Sequence, residues 1–393
     1  MAKFDITNSR YAKFFESKGN YNYLQKFVDE SDIFRTNYGW HLTQGRRATL
    51  PATRNADGTA IFIMKATKLT AAPLMHLRAP LGDAPVADKD GISAYTGTIP
   101  DFIADGFVET AAEREVRVKM YEQFGNDADI IAAWADTVQS KMDSVDATLT
   151  VMTAQLESTG KIDYTGLGQG EQMLIQNANI PEENFITAGA SVWSDTTCRL
   201  LDQMQQIEED YRDKFGFSGP LVWKVPRDMF FNVILLNEQV KELISNFKTN
   251  PLNFVAQTEG QTPTEAEFRN AIADYPGISH IEIVTEKVRN NNGITNEFVH
   301  GWDQNVAVLR PAGDAVEFQW TTNFDQELFQ KYGSKAISKV FATTNNGLGT
   351  LVNTTLNNGL FREWHTDMML TACPALINFP YHYIVDTTTA DAE

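Results

Sequence analysis

Cysteine is nearly absent. Cys198 and Cys373 are the only two in 393 residues, too few and too far apart for a disulfide framework or a zinc site. Each reads as a small buried hydrophobe in a chain made in a reducing compartment. Long apolar runs are missing too. The longest, Met229 to Leu236, is interrupted by Asn232 and falls far short of the ~20 residues that cross a bilayer, so no membrane contact is expected. The opening residues, Met1 to Asn8, have no basic patch followed by an apolar stretch, which predicts no secretory signal. Positive charge is also scarce: 33 Lys and Arg against 51 Asp and Glu leave a net charge of -18. That balance excludes a general nucleic-acid coat, because phosphate binding needs clustered cations.

The residue patterns of catalysis are missing as well. The six histidines, His41, His76, His280, His300, His365 and His382, include no pair at the helical spacing of a metal site, so each reads as structural. No nucleophile elbow, Walker loop or kinase signature occurs. Gly166, Gly168 and Gly170 follow a helical pattern instead of a strand and no Lys-Ser/Thr closes them, so they read as turn glycines and not as a phosphate loop. Asp127-Ala-Asp129 and Glu208-Glu209-Asp210 fit a helix start and an exposed helix face, where carboxylates are solvated. The expectation is a protein that is not an enzyme, with no catalytic residues, no cofactor and no metal.

The chain does have ample material for a core: 42% of residues are hydrophobic and 21% charged. Single cores stop growing near ~250 to 300 residues, so two or more lobes are expected. Residues 1–50 hold eight basic groups and five acidic ones, a balance of +3 that leaves -21 on the remainder. Such a segment suits either an arm lying on an acidic neighbour or a solvated helix with incidental charges. Tyr11, Phe14, Phe15, Tyr21, Tyr23, Leu24 and Phe27 give residues 9–30 an aromatic stripe that needs a partner surface.

From Ala71 to Thr110 four prolines and four glycines alternate with scattered apolar residues, which forbids a long helix and predicts an ordered, extended arm. Folded once, forty such residues reach ~65 Å, against a radius of gyration near ~21 Å for a compact chain of this length. A hairpin that long leaves the body and buries its apolar residues on a neighbouring subunit. Ile131, Trp134, Val138, Met142, Val145, Leu149, Met152 and Leu156 then recur at spacings of three or four, predicting one long helix over 127–159 that lies on a sheet and stops at Gly160. A hairpin over 161–170 follows. Ser194 is expected to cap a helix running to Gly216, Leu221 to Val225 forms a strand, and helices occupy Arg227 to Phe247. Thr262-Pro263-Thr264-Glu265 reads as a capping box, Ile278 to Val288 and Val306 to Leu309 as strands, and Thr343 to Leu348 and Asn357 to Leu360 as β-turn signals.

This order of parts resembles the major capsid protein of tailed bacteriophages, which has the α+β Hong Kong 97-type capsid fold. The lambda-like major capsid protein E family is the nearer likeness. Three stretches carry the resemblance: Ser93 to Phe102 with Phe107-Val108-Glu109, Asp143 to Gly160 with Lys161-Ile162-Asp163, and Val192 to Asp195 with Phe217 to Trp223. The resemblance implies an N-terminal arm and first peripheral strands at 1–70, an extended E-loop at 71–110 and a peripheral domain at 111–190 built on the spine helix 127–159 and its hairpin. An axial domain at 191–310 and a β-rich returning tail at 311–393 complete it.

By the same resemblance the function is structural. Copies form hexamers and pentamers of an icosahedral shell that encloses double-stranded DNA without reading its sequence. Scaffolding, portal and decoration proteins are the further partners, assembly takes place in the bacterial cytoplasm, and the virion is the destination. Arg78, Leu81, Asp88, Lys89, Asp90, Ile92 and Tyr95 are expected to touch the adjacent subunit. Lys89 lies between two aspartates and gives no basis for a cross-link. A tail-tube or sheath protein, an encapsulin-like shell and an α+β enzyme are the rival readings.

Overall fold

The computed structural model describes residues 45–47, 60–66, 69, 93–108, 144, 147–164, 175–249, 263–273, 275, 277–285, 287–291, 296–321, 339–344, 349–358 and 361–390. The aromatic stripe of 9–30, the loop residues 71–92 and the first half of the expected long helix lie outside them. The chain divides into two compact units, one of Met1–Phe62, Thr98–Thr150 and Glu317–Pro374, the other of Ile63–Gly97, Val151–Val316 and Ala375–Glu393.

The first unit is organised by one sheet. Strands β1 (Gly45–Arg47), β4 (Asp101–Val108), β13 (Val316–Trp320), β14 (Lys339–Thr344), β15 (Gly349–Asn358) and β16 (Phe361–Leu376) assemble in the order β1-β13-β16-β15-β14, with β4 also on β16. The long strand β16 spans ~50 Å at ~3.3 Å per residue, and it pairs antiparallel with both β15 and β4. The registers Thr344 with Gly349 and Asn358 with Phe361 put the two chain reversals where the Asn-Gly pairs of the sequence predict turns.

The second unit has a mixed five-stranded sheet, ordered β7 (Phe185–Thr187), β17 (Tyr383–Asp386), β12 (Val306–Pro311), β8 (Leu221–Pro226) and β9 (His280–Val284). Alternation assigns its faces, because successive side chains of a strand point to opposite sides. Trp223, Val225, Ala307, Leu309, Tyr383 and Val385 share one face with the helical core residues Leu201, Met204, Tyr211, Phe230 and Phe268. Lys224, Arg310 and His382 fall on the other face, beside the helix of residues 147–159, here α1.

Three further helices cover the first face: α2 (Leu200–Phe215), α3 (Glu238–Thr249) and α4 (Glu265–Ala273). Helix α2 stops at Gly216, whose φ of 58° is the left-handed conformation glycine adopts without a side-chain clash. Its start corrects the expectation at Ser194. Asp195 Oδ1 accepts from the Thr197 amide and hydroxyl, winding 194–199 into turns, and the free Leu201 amide donates to Gln239 Oε1 of α3 at 2.9 Å. A capping partner from another helix thus replaces a local one.

Other boundaries shift for similar local reasons. Thr264 forms a capping box with Glu267, while Thr262 lies outside the described residues: the Thr264 amide donates to Glu267 Oε2 and the Glu267 amide to Thr264 Oγ1. Arg227 to Phe247 is interrupted by a π-turn over Phe230–Ile234, which brings Phe230 to 5.2 Å from the Phe268 ring, and by residues 235–237. The expected strand 278–288 is two, β9 and β10 (Val288–Asn291), and β10 pairs with β11 (Asn296–Val299).

Helix α1 buries Leu149, Met152 and Leu156 as the periodicity predicts and ends at Gly160 with φ 69°. The hairpin after it is wider than its sequence signal, since β5 (Lys161–Asp163) pairs antiparallel with β6 (Ile175–Asn177). Gln155 of α1 fixes it by donating to the Asp163 carbonyl and accepting from the Asp163 amide. Gly301 lies so close to α1 that a Cβ there would sit 2.6 Å from the Val151 carbonyl oxygen.

Candidate functional site

Two strands bring together the ends of the segment expected to form the extended loop, whose residues 71–92 lie outside the described residues. Strand β2 (Ala60–Lys65) pairs with β3 (Ala94–Ile99), and beyond the ladder the Ala66 amide donates to the Ser93 carbonyl at 2.9 Å. The Leu69 amide donates to the Tyr381 hydroxyl at 3.2 Å, tying the outgoing strand to the body. Of the seven residues expected to touch a neighbour, Arg78, Leu81, Asp88, Lys89, Asp90 and Ile92 lie outside the described residues. Tyr95 is described, and it is only 3% exposed. Its ring meets Phe379 edge-on at 5.0 Å and its hydroxyl accepts from the Leu376 amide at 2.8 Å. The side chain thus anchors the loop base within its own subunit.

On the second face of the five-stranded sheet lies a buried charge cluster. Glu157 of α1 is 3% exposed and receives Lys224 Nζ from β8 at 2.7 Å. Arg310 Nε of β12 stands 3.5 Å from the same carboxylate oxygen, a charge contact without hydrogen-bond geometry. The guanidinium donates instead to the carbonyls of Pro311 and Gly313. Burial alone would raise the Glu157 carboxyl, but the Lys224 and Arg310 charges outweigh it and hold the group below the ordinary carboxylate range. His382 Nε2 donates to the Glu157 carbonyl oxygen at 2.7 Å. Burial pushes its imidazole down to about 4 against the opposing pull of that bond and carboxylate, so the ring is neutral at pH 7. Lys224 also lies 5.6 Å over the Trp302 ring. The cluster fastens a helix to three strands and holds no reactive group in an open cleft.

The acidic run at 208–210 divides. Glu209 and Asp210 are exposed, as the sequence predicts, but Glu208 is buried. Its carboxylate accepts from Trp223 Nε1 at 2.8 Å and from the amide and hydroxyl of Ser279 at 2.6 and 2.7 Å. The signal for this role was its place on the apolar stripe of α2, one residue after Ile207 and three before Tyr211. Cys198 and Cys373 are both buried and unpaired with each other. Among the described residues no group of three His, Cys, Asp or Glu side chains is placed to hold a metal ion, and no helix is long and apolar enough to cross a membrane.

Neither a protein-family profile nor any curated protein sequence matches the chain. Solved structures do. The capsid protein of a prophage of E. coli CFT073 superimposes with a TM-score of 0.52 at 11% identity, over 93% of this chain and 98% of that one. A phage-related protein from Bordetella bronchiseptica RB50 gives 0.44 at 12% identity over 90% and 94%, and the capsid of cyanophage A-1(L) gives 0.41 at 10% over 84% and 88%. The likeness to the CFT073 protein defines the class: this chain has an α+β fold shared with a phage capsid protein.

Proposed function

We propose that this chain is the major capsid protein of a tailed bacteriophage, a structural subunit that closes into an icosahedral shell around double-stranded DNA. The observation that carries the reading is the end-to-end match with the prophage capsid protein, 93% of one chain and 98% of the other, which leaves little of either for a separate activity. In the Hong Kong 97-type assignment residues 1–70 form the N-terminal arm and first peripheral strands, and 71–110 the E-loop. Residues 111–190 form the peripheral domain on the spine helix 127–159, 191–310 the axial domain, and 311–393 the returning tail. The β2–β3 base supports the loop part of this assignment, because it brings the two ends of a long intervening segment side by side. Arg78, Leu81, Asp88, Lys89, Asp90 and Ile92 then lie on the adjacent subunit, with Tyr95 as the internal anchor. The net charge of -18 suits a wall that holds DNA without adhering to it.

Electron microscopy of the purified protein tests the reading. Closed spherical shells are expected. Tubes would assign the chain to a tail, spheres filled with protein cargo to an encapsulin-like container, and a small discrete oligomer would overturn assembly into a shell.

A further inference from the structure

The two faces of the five-stranded sheet are held by different means. The face under α2, α3 and α4 packs on a large apolar core to which α1 contributes no residue. Its buried carboxylate, Glu208, takes its hydrogen bonds from neutral donors, Trp223 Nε1 and the amide and hydroxyl of Ser279. The opposite face meets residues 151–163, the end of α1 and strand β5. Met152, Leu156 and Ile162 of this segment are buried, and Lys224 and His382 reach it from the sheet at one residue, Glu157.

His382 stands just before β17 and is 1% exposed, whereas His280 and His300 of the same unit have solvent access. The charged groups that face its ring come from three elements: Glu157 of α1, Lys224 of β8 and Arg310 of β12. Asn184, which donates to the Pro380 carbonyl two residues away, is uncharged. The neutral ring donates to the Glu157 carbonyl. A second ring proton sets three cations around one buried carboxylate, where water does not screen them.

We propose that protonation of His382 releases residues 151–163 from the sheet while the face under α2, α3 and α4 stays packed, so that this histidine is an acid-operated latch on one face of the fold. The release is a partial opening of the folded subunit, distinct from its unfolding. Its sign follows from the two environments of the ring. Burial holds the imidazole at about 4 in the closed state, and in the released state water returns it to about 6.5. The open state therefore binds more protons, and falling pH favours it. The inference concerns the single subunit and stands apart from the shell reading.

Hydrogen exchange of the full-length chain, followed by mass spectrometry and corrected for the intrinsic pH dependence of amide exchange, tests the latch. Between pH 7.5 and 5 the opening constant of 151–163 is expected to rise about thirtyfold, the factor that values near 6.5 and 4 give at pH 5. These amides should exchange faster than those of α2 at both pH values, with little dependence on dilute urea, as a partial opening does. His382→Gln keeps a donor for the Glu157 carbonyl and should remove the rise. Lys224→Met takes away one of the opposing cations and should shrink it. An unchanged opening constant for 151–163 in the wild type, or exchange of that segment and of α2 at one common, urea-dependent rate, would overturn the latch, and so would the full rise persisting in His382→Gln.

Discussion

Lys224 Nζ donates to Glu157 Oε2 across 2.7 Å, joining β8, the fourth strand of the five-stranded sheet, to the helix on its far face. Arg310 reaches the same helical residue from the neighbouring strand β12, and His382 from the residue just before β17 on the far side of β12. One glutamate therefore fixes the position of α1 over β8, β12 and β17. Removing one member of a buried ionic group leaves its partners charged and desolvated, so the loss exceeds the net worth of the pair.

Glu157→Leu strands two buried cations and is expected to destabilise the subunit by about 3 to 5 kcal/mol. Lys224→Met is expected to cost less, because Arg310 remains beside the carboxylate. Urea denaturation of dissociated subunits measures both. A smaller loss for Glu157→Leu than for Lys224→Met would show that the cations do not depend on this carboxylate.

The cluster also sets an acid limit. With its imidazole pushed down to about 4 by burial, His382 stays neutral in the folded chain while the unfolded chain takes up a proton below about 6.5. The unfolded state then binds more protons, so stability falls as pH drops from about 6.5 towards 4, by about 3 kcal/mol at most. Glu157 acts in the same sense lower down, since its depressed pKa contributes stability above the ordinary carboxylate range that is lost as pH falls through the folded value. His382→Gln keeps a donor for the Glu157 carbonyl and should flatten the upper part of the profile between pH 6.5 and 5. An unchanged slope in that variant would place the acid sensitivity elsewhere.

The legible and illegible parts of this sequence differ in the range of the interactions that decide them. The stop of α2 at Gly216, strand β8 and the two Asn-Gly reversals follow from local rules of backbone conformation and period, and each stands close to where the residues put it. The start of α2 does not, because its cap comes from Gln239, 38 positions along the chain. Glu208 looked solvated for the same reason: its partners arrive from elsewhere in the chain, Trp223 from within β8 and Ser279 from just before β9. The charge cluster depends on register. Lys224 pairs with Val308, and only that alignment brings Arg310 and His382 to the same face, which one strand's alternation does not specify.

Glu208 gives a further stability test. Glu208→Ala leaves the Trp223 ring N–H and the Ser279 amide without an acceptor inside the core, at about 1 to 3 kcal/mol for each group. Glu208→Gln restores one acceptor oxygen and should recover part of the loss. Thermal melting of the two variants checks the order. Equal melting of wild type and Glu208→Ala would mean that water reaches the site.

The loop is best tested by an excision that respects its base. Removing 76–100 would delete Tyr95 and Ile99, both buried, and would confuse lost folding with lost assembly. Replacing residues 72–90 by a short Gly-Ser linker keeps β2, β3, the Ala66 to Ser93 hydrogen bond and the Leu69 contact. A linker costs little there, because loop-closure entropy changes slowly with length and the ladder already brings the ends together. The expected product is a subunit that melts within a few degrees of wild type yet forms no closed shells in the electron microscope. Tyr95→Phe supplies the contrasting case: it removes the hydroxyl that accepts from the Leu376 amide and should lower melting by the worth of one buried hydrogen bond, about 1 to 3 kcal/mol, while leaving the loop to assemble normally. Shells formed by the excised protein would show that the long arm does not hold neighbouring subunits together.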